Sequence, residues 1–280
     1  RPDGTFEARY RPGTTSAPDA RSPQFDGVGW FLWAAATLAR LGVLASDASP
    51  ASSSPTLKRA LARSARAAAD ATTTASGLPK PSPDYWEVPE RRLTLATAAM
   101  TLSALESAAH LSELGLLEGE AGVGTETLER SARETERALV ETFGPGAFQR
   151  YARGGGFDAG LLMLLPPYQT QEFAERNPTI AGHIDEAFKA MQRPAGGVAP
   201  GARWKRDGIS WTPQTAMFAQ AYARLGERER ALEILEWLAA HRTSAGAISE
   251  KILADGSPAA VAPLSWPAAL ALSTLKALHS

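Results

Sequence analysis

Cysteine is absent from the 280 residues, which excludes disulfides, thiolate metal sites and a cysteine nucleophile. An excess of either charge is absent too. The 29 Lys and Arg stand against 30 Asp and Glu, so the chain has no general attraction to phosphate polymers, and nucleic acid is not an expected partner. Histidine is scarce: His110, His183, His241 and His279 are scattered without metal-ligand spacing. No Gly-x-Ser-x-Gly elbow and no Gly-x-x-x-x-Gly-Lys phosphate loop occurs, so nothing calls for a metal or a nucleotide cofactor. The longest apolar stretch, 28–44, contains Arg40 and is too short to cross a bilayer, which leaves a membrane out of the expected partners. Alternating β-branched runs are few, so no extended sheet is expected. The chain opens at Arg1 without a signal-like stretch or an initiator Met, as a processed, trimmed or fragmentary chain would, and its compartment cannot be assigned.

What the chain does hold is helix. Segments 28–41, 55–74, 91–114, Thr125–Phe143, 158–165, 178–191, 211–225, 227–242 and 266–278 read as helical. Ser54-Pro55 and Asn177-Pro178 each offer a capping side chain before a proline suited to a first helical turn. Gly42, Gly115 and Gly226 follow apolar runs, where a left-handed helix end suits glycine. The 44–54 stretch of Ala, Ser, Asp and Pro reads as a loop.

Two kinds of helix alternate. Segments 28–41, 91–114, 158–165, 211–225 and 266–278 are apolar or small almost all round, as helices buried on every side are. Between them lie helices with one apolar stripe, such as Leu128, Ala132, Leu139 and Phe143 backed by Glu129, Arg133, Glu136 and Arg137. Inner and outer helices in turn are what two concentric rings need. The rival all-α architecture, a solenoid, would show a fixed repeat period, and none is visible. Three irregular segments, 77–87, 194–209 and 243–264, each precede an inner-type helix and would emerge at one rim of such a ring.

Those segments carry the candidate site. Pro83-Asp84-Tyr85-Trp86-Glu87 resembles the general-acid segment of glycoside hydrolase family 15, the family of glucoamylases, glucodextranases and bacterial trehalases. Ser249-Glu250, Asp255-Gly256-Ser257-Pro258 and Leu264-Ser265-Trp266 resemble its general-base segment. Gln24-Phe25-Asp26-Gly27, Phe157-Asp158-Ala159-Gly160 and Ala202-Arg203-Trp204 with Trp211-Thr212-Pro213 follow the family order. The resemblance implies an all-α six-hairpin (α/α) toroid, one catalytic domain over residues 1–280. It matches the last nine of twelve helices and so lacks the first ones. The chain departs from the family in three places. It has no Arg-Asp pair ahead of an inner helix in its first 26 residues, Arg206-Asp207 being in another loop. It has Ala20 where fungal members carry Trp, and Val88 where they carry a second carboxylate.

The implied activity is inverting, exo-acting hydrolysis of α-glucosidic oligo- or polysaccharides, with no cofactor. The alternative is a carbohydrate-binding relic or truncated fragment. Inversion needs a protonated carboxyl at the leaving oxygen and a carboxylate that activates water, about 6.5–9.5 Å apart. Glu87, between Trp86 and Val88, is expected in apolar company that keeps a proton on it. Glu250, beside Ser249 and Lys251, is expected to be charged. Taken alone, Glu87 could equally serve the start of the following helix, and Glu250 could be a solvated loop carboxylate. Trp86, Trp204, Trp211 and Trp266 lie at loop–helix junctions where indoles can stack on sugar faces, whereas Trp33 and Trp237 read as core. Arg203 could bond sugar hydroxyls. Asp26 and Asp84 are expected either among the sugar contacts or as helix caps.

Overall fold

Caps and prolines set the helix starts, and packing decides how each helix is used. The structure, a computed structural model, describes residues 1–44, 54–117 and 122–279. It divides into two units, Arg1–Gly146 and Ala147–Ser280. Most of the loop expected at 44–54 lies outside the described residues.

In the first unit, an irregular segment with one bridge, Phe6 to Gln24, leads into α1 (Asp26–Arg40). Helix α2 (Pro55–Ala71) starts where the Ser54 hydroxyl accepts from the Leu57 amide at 3.4 Å, with Pro55 in the first turn. Helix α3 (Leu95–Glu113) is capped by Thr94, which accepts from the Thr97 amide at 3.2 Å. It packs against α1, α2 and α4 (Thr125–Phe143), and every residue from Leu95 to Leu105 is buried. An all-round apolar sequence thus occupies the centre of its unit, as expected. By contrast, α4 buries only the stripe of Leu128, Ala132, Thr135, Leu139 and Phe143. The contact of α1 with α3 is close enough to require glycine. A Cβ on Gly29 would stand 2.2 Å from the Met100 carbonyl oxygen.

In the second unit, 158–165 forms a 3-10 helix at Ala159–Leu164 rather than an α-helix, and all of it is buried. Segment 178–191 is also not one helix. It breaks at His183 into α6 (Thr179–Gly182) and α7 (Ile184–Met191), and Asn177 caps neither. The Asn177 side chain instead donates to the Phe173 carbonyl at the end of an unexpected short helix, α5 (Gln171–Arg176). Helix α8 (Thr212–Arg224) is buried from Thr212 to Ala223 and packs against α9 (Arg228–Ala240), α10 (Ser265–His279) and the 3-10 helix. Strands β1 (Ser210–Trp211), β2 (Lys251–Ile252) and β3 (Pro258–Ala259) form an antiparallel sheet in that order, two residues per strand. It is too small to alter the all-helical class, yet it stitches two of the irregular segments together.

The inner and outer assignment fails at one helix. Of α10, only Pro267, Leu270 and Thr274 are buried, and Leu272 is 69% exposed. Its apolar circumference finds a partner on one side alone, so sequence character overstates its burial. Helix α1 also leaves Leu38 exposed, with Leu41 and Val43 just beyond it. Among the described residues, no helix is long and apolar enough to cross a membrane.

A buried ion pair anchors the second unit. Arg150 Nη1 lies 2.7 Å from Asp158 Oδ2, and both side chains are sealed from solvent. The other Asp158 oxygen accepts from the Gly160 amide at 3.0 Å and starts the 3-10 helix. Its backbone bridges to Gly201, and the Ala202 amide donates to the Phe157 carbonyl, which holds the segment leading to Arg203 and Trp204. Removing one member of such a pair leaves a buried charge unmatched. Asp158→Ala should therefore cost about 3–5 kcal/mol in urea denaturation. Gly29→Ala should cost about 2 kcal/mol or more, because the methyl group meets backbone that cannot rotate away.

Candidate active site

Candidate residues lie in each of the two units. In the first, the segment Gln24 to Asp26 is laced to the segment Ser82 to Tyr85. The Gln24 side chain donates to the Asp84 carbonyl at 3.0 Å, and the Phe25 amide donates to the Ser82 hydroxyl at 3.0 Å. Asp84 is fully buried, and its Oδ1 accepts from the Trp86 amide at 3.0 Å. Asp26, 3% exposed at the start of α1, accepts from the amides of Gly27 and Tyr85 and from the Trp30 side chain. Burial, followed by the negative charge of Asp84, raises the Asp26 pKa to about 7. These two aspartates therefore face the backbone of the Asp84–Glu87 turn, where the sequence had suggested sugar contacts or helix caps.

The turn delivers Glu87 to the surface. The Glu87 amide donates to the Asp84 carbonyl at 2.7 Å, and Glu87 adopts φ +55, a left-handed conformation that non-glycine residues seldom take. Such strain persists where surroundings enforce it, and it gathers at functional sites. The carboxylate borders a cavity of about 460 Å³ lined by Asp19, Arg21, Ser22, Gln24 and Val88, among others. It pairs through Oε2 with both Arg9 and Arg21. The apolar company expected from Trp86 and Val88 is thus replaced by two guanidinium groups from the irregular N-terminal segment. Chain neighbours did not reveal this, because the arginines come from 66 and 78 positions away.

In the second unit, the sheet brings Glu250 to the start of α8. The Glu250 amide donates to the Val261 carbonyl at 2.8 Å, and its own carbonyl accepts from the Thr212 amide at 3.0 Å. The Glu250 backbone is therefore pinned between the start of α8 and the irregular segment preceding α10, while its carboxylate stays partly open. Lys251 Nζ lies 3.4 Å from Glu250 Oε2 and 4.3 Å from the Trp211 ring centroid. Trp211 meets Trp204 edge to face at 5.7 Å. Glu250, Trp204 and Trp211 are thus brought together, with Lys251 joining them.

Arg203 is exposed, next to Gly156, and Trp266 is half-buried at the start of α10. Trp237 donates to the Ala195 carbonyl at 2.6 Å and supports the Pro194-to-Ile209 segment from below, while Trp33 meets Trp30 edge to face. Sequence reasoning missed Arg9 and Arg21 altogether. The signal for Gln24 was present in the quoted Gln24-Phe25-Asp26-Gly27 motif. Among the described residues, no cluster of His, Asp and Glu could hold a metal ion.

No family model matches the sequence, and no curated protein matches it. Solved structures do. A wild-type glycosidase has a TM-score of 0.69 at 20% identity, over 91% of this chain and 67% of its own. A glycosidase variant in complex with glucose matches over the same shares. Glucoamylase from Saccharomycopsis fibuligera has a TM-score of 0.68 at 14% identity, over 95% of this chain and 72% of its own. A D-mannose isomerase has a TM-score of 0.51 at 12% identity, over 97% of this chain and 90% of its own. The chain spans about two thirds of the length of these glycosidases. It has the helical fold of the (α/α)-toroid glycosidases.

Proposed function

We propose that this chain is a glycoside hydrolase, an inverting and exo-acting enzyme that releases glucose from α-glucosidic oligo- or polysaccharides. The observation that carries the reading is the fold shared with glycosidases over nine-tenths of the chain. The two candidate carboxylates support it, since each sits on a loop pinned by hydrogen bonds and each borders solvent. The fold alone leaves room for isomerase chemistry, given the mannose isomerase likeness. The candidate carboxylates favour hydrolysis, since two carboxyl groups are what glycoside hydrolysis needs, and His183 and His241 make ring contacts with Phe148, Phe157 and Trp237.

In this reading the two units act as one catalytic domain. Glu87 is the general acid and protonates the leaving oxygen. Glu250 is the general base and draws a proton from the attacking water. Trp86, Trp204, Trp211 and Trp266 offer indole faces to the sugar, and Arg203 offers donors to its hydroxyls. Asp26 and Asp84 act through the backbone of the turn that carries Glu87. Lys251 counters the charge of Glu250 until water and sugar are in place. Glu87, doubly paired in the free chain, must exchange arginine bonds for a proton as substrate enters the cavity.

That pairing also favours a second reading, a saccharide-binding chain whose acid stays locked and which turns nothing over. Replacement separates the two. In the full-length gene product, Glu87→Gln and Glu250→Gln should each lower turnover of an α-linked glucoside by about 10²–10⁴-fold, with helical content unchanged. Near-normal turnover in either variant removes that residue from the mechanism. Sugar binding without turnover in the unmodified chain selects the second reading.

A further inference from the structure

The segment between Phe6 and Gln24 is a loop closed at its neck. Phe6 and Gln24 pair across that neck, the Gln24 amide donating to the Phe6 carbonyl at 3.3 Å. Both ends are rooted. The Ser64 hydroxyl of α2 donates to the Gly4 carbonyl at 2.9 Å, and the Phe6 ring meets Phe31 of α1 at 5.3 Å between centroids. At the other end, Gln24 and Phe25 are bonded to Asp84 and Ser82. Surface loops whose ends are held together in this way frequently carry function.

Beyond the neck the loop has little hold on the rest of its unit. No residue from Arg9 to Ser22 is buried. Among the described residues, the hydrogen bonds and ion pairs of residues 8–22 run within the loop or to Glu7, with two exceptions. The exceptions are Arg9 and Arg21, and both end on the same oxygen, Oε2 of Glu87. Arg21 also lies 3.4 Å from Asp19 Oδ2 inside the loop, and the facing segment carries Lys80, Asp84, Glu90, Arg91 and Arg92 besides Glu87. Asp19, Arg21 and Ser22 line the Glu87 cavity from the loop. The side chains of Arg9, Arg21 and Glu87 are 41%, 40% and 35% exposed, so each pair is of the weak, salt-sensitive kind.

We infer that residues 7–23 form a lid latched on Glu87: Arg9 and Arg21 hold the lid against the carboxylate, and release of both pairs lets the loop swing about its Phe6–Gln24 neck and frees the acid. Arg9 stands three positions after Phe6 (9 − 6), and Arg21 three before Gln24 (24 − 21). One carboxylate therefore ties both arms of the loop near the hinge. The latch is a regulation of the site proposed above, and it rests on that reading only for the consequence to activity. Salt opens it, because at about 1 M the reach of exposed charges falls to about 3 Å.

Chymotrypsin reads the lid directly, because Tyr10 lies in it and is exposed. Cleavage after Tyr10 follows the population of the open loop. In about 0.02 M salt, Arg9→Gln with Arg21→Gln, and separately Glu87→Gln, should each speed that cleavage about tenfold. Combining all three should add nothing further, because they break one latch. A rate unchanged in either set, or full addition of their effects, overturns the proposal. Should a variant fail to fold, the parent decides. Its cleavage after Tyr10, divided by that of a free peptide of residues 7–23, should rise about tenfold between about 0.02 M and about 1 M salt. A flat ratio overturns the proposal. None of these readouts requires turnover. In the full-length gene product, the arginine variants should also raise turnover of an α-linked glucoside at low salt about threefold or more and remove its salt dependence. A lid that responds in a chain without turnover keeps the latch and sinks the hydrolase reading, while turnover without a lid response does the reverse.

Discussion

Irregular backbone must be tied to buried partners, and at this site almost everything depends on that tying. The segments that carry Glu87 and Glu250 lack regular structure long enough to satisfy their own amides and carbonyls. An unmatched backbone group away from water costs about as much as a lost hydrogen bond. The chain solves this at helix starts. Asp26, at the first turn of α1, takes up an amide of the Glu87 turn, and Thr212, at the first residue of α8, takes up the Glu250 carbonyl. Helix starts thereby set where the irregular segments place their carboxylates. Asp158 plays the same part for the segment leading to Arg203 and Trp204, with Arg150 buried against it to balance the charge.

The helices were legible because their physics is local. Thr125–Phe143 is delimited at both ends by its apolar stripe, and Ser54-Pro55 opens α2 as its chemistry dictates. Where the outcome hinged on distant partners, sequence reasoning fell short. Helix α5 has only six residues, too few for a period to show, and each strand has two. The break at His183 comes directly after Gly182, a helix-weakening residue inside a segment otherwise read as continuous. Helix α10 reads as apolar all round, but composition cannot say whether a neighbour exists to cover each side.

The candidate site divides along the same line. The tryptophans and carboxylates were named from short motifs, and Glu250, Trp204 and Trp211 do gather at the start of α8. The environment of Glu87 was misjudged, because its nearest charges are Arg9 and Arg21 rather than its chain neighbours. The burial of Asp26 and Asp84 was equally invisible, since nothing in a motif states which way a carboxyl points. Motifs name the participants, and tertiary contacts decide which groups they meet.

The central claim is that Glu87 and Glu250 cooperate in hydrolysis with inversion. Proton NMR during the first turnovers of an α-linked gluco-oligosaccharide by the full-length gene product tests it most directly, because the anomeric signal is read before mutarotation blurs it. The account predicts that β-glucose appears first, since water activated by Glu250 attacks the face opposite the departing group. Initial appearance of α-glucose would contradict it.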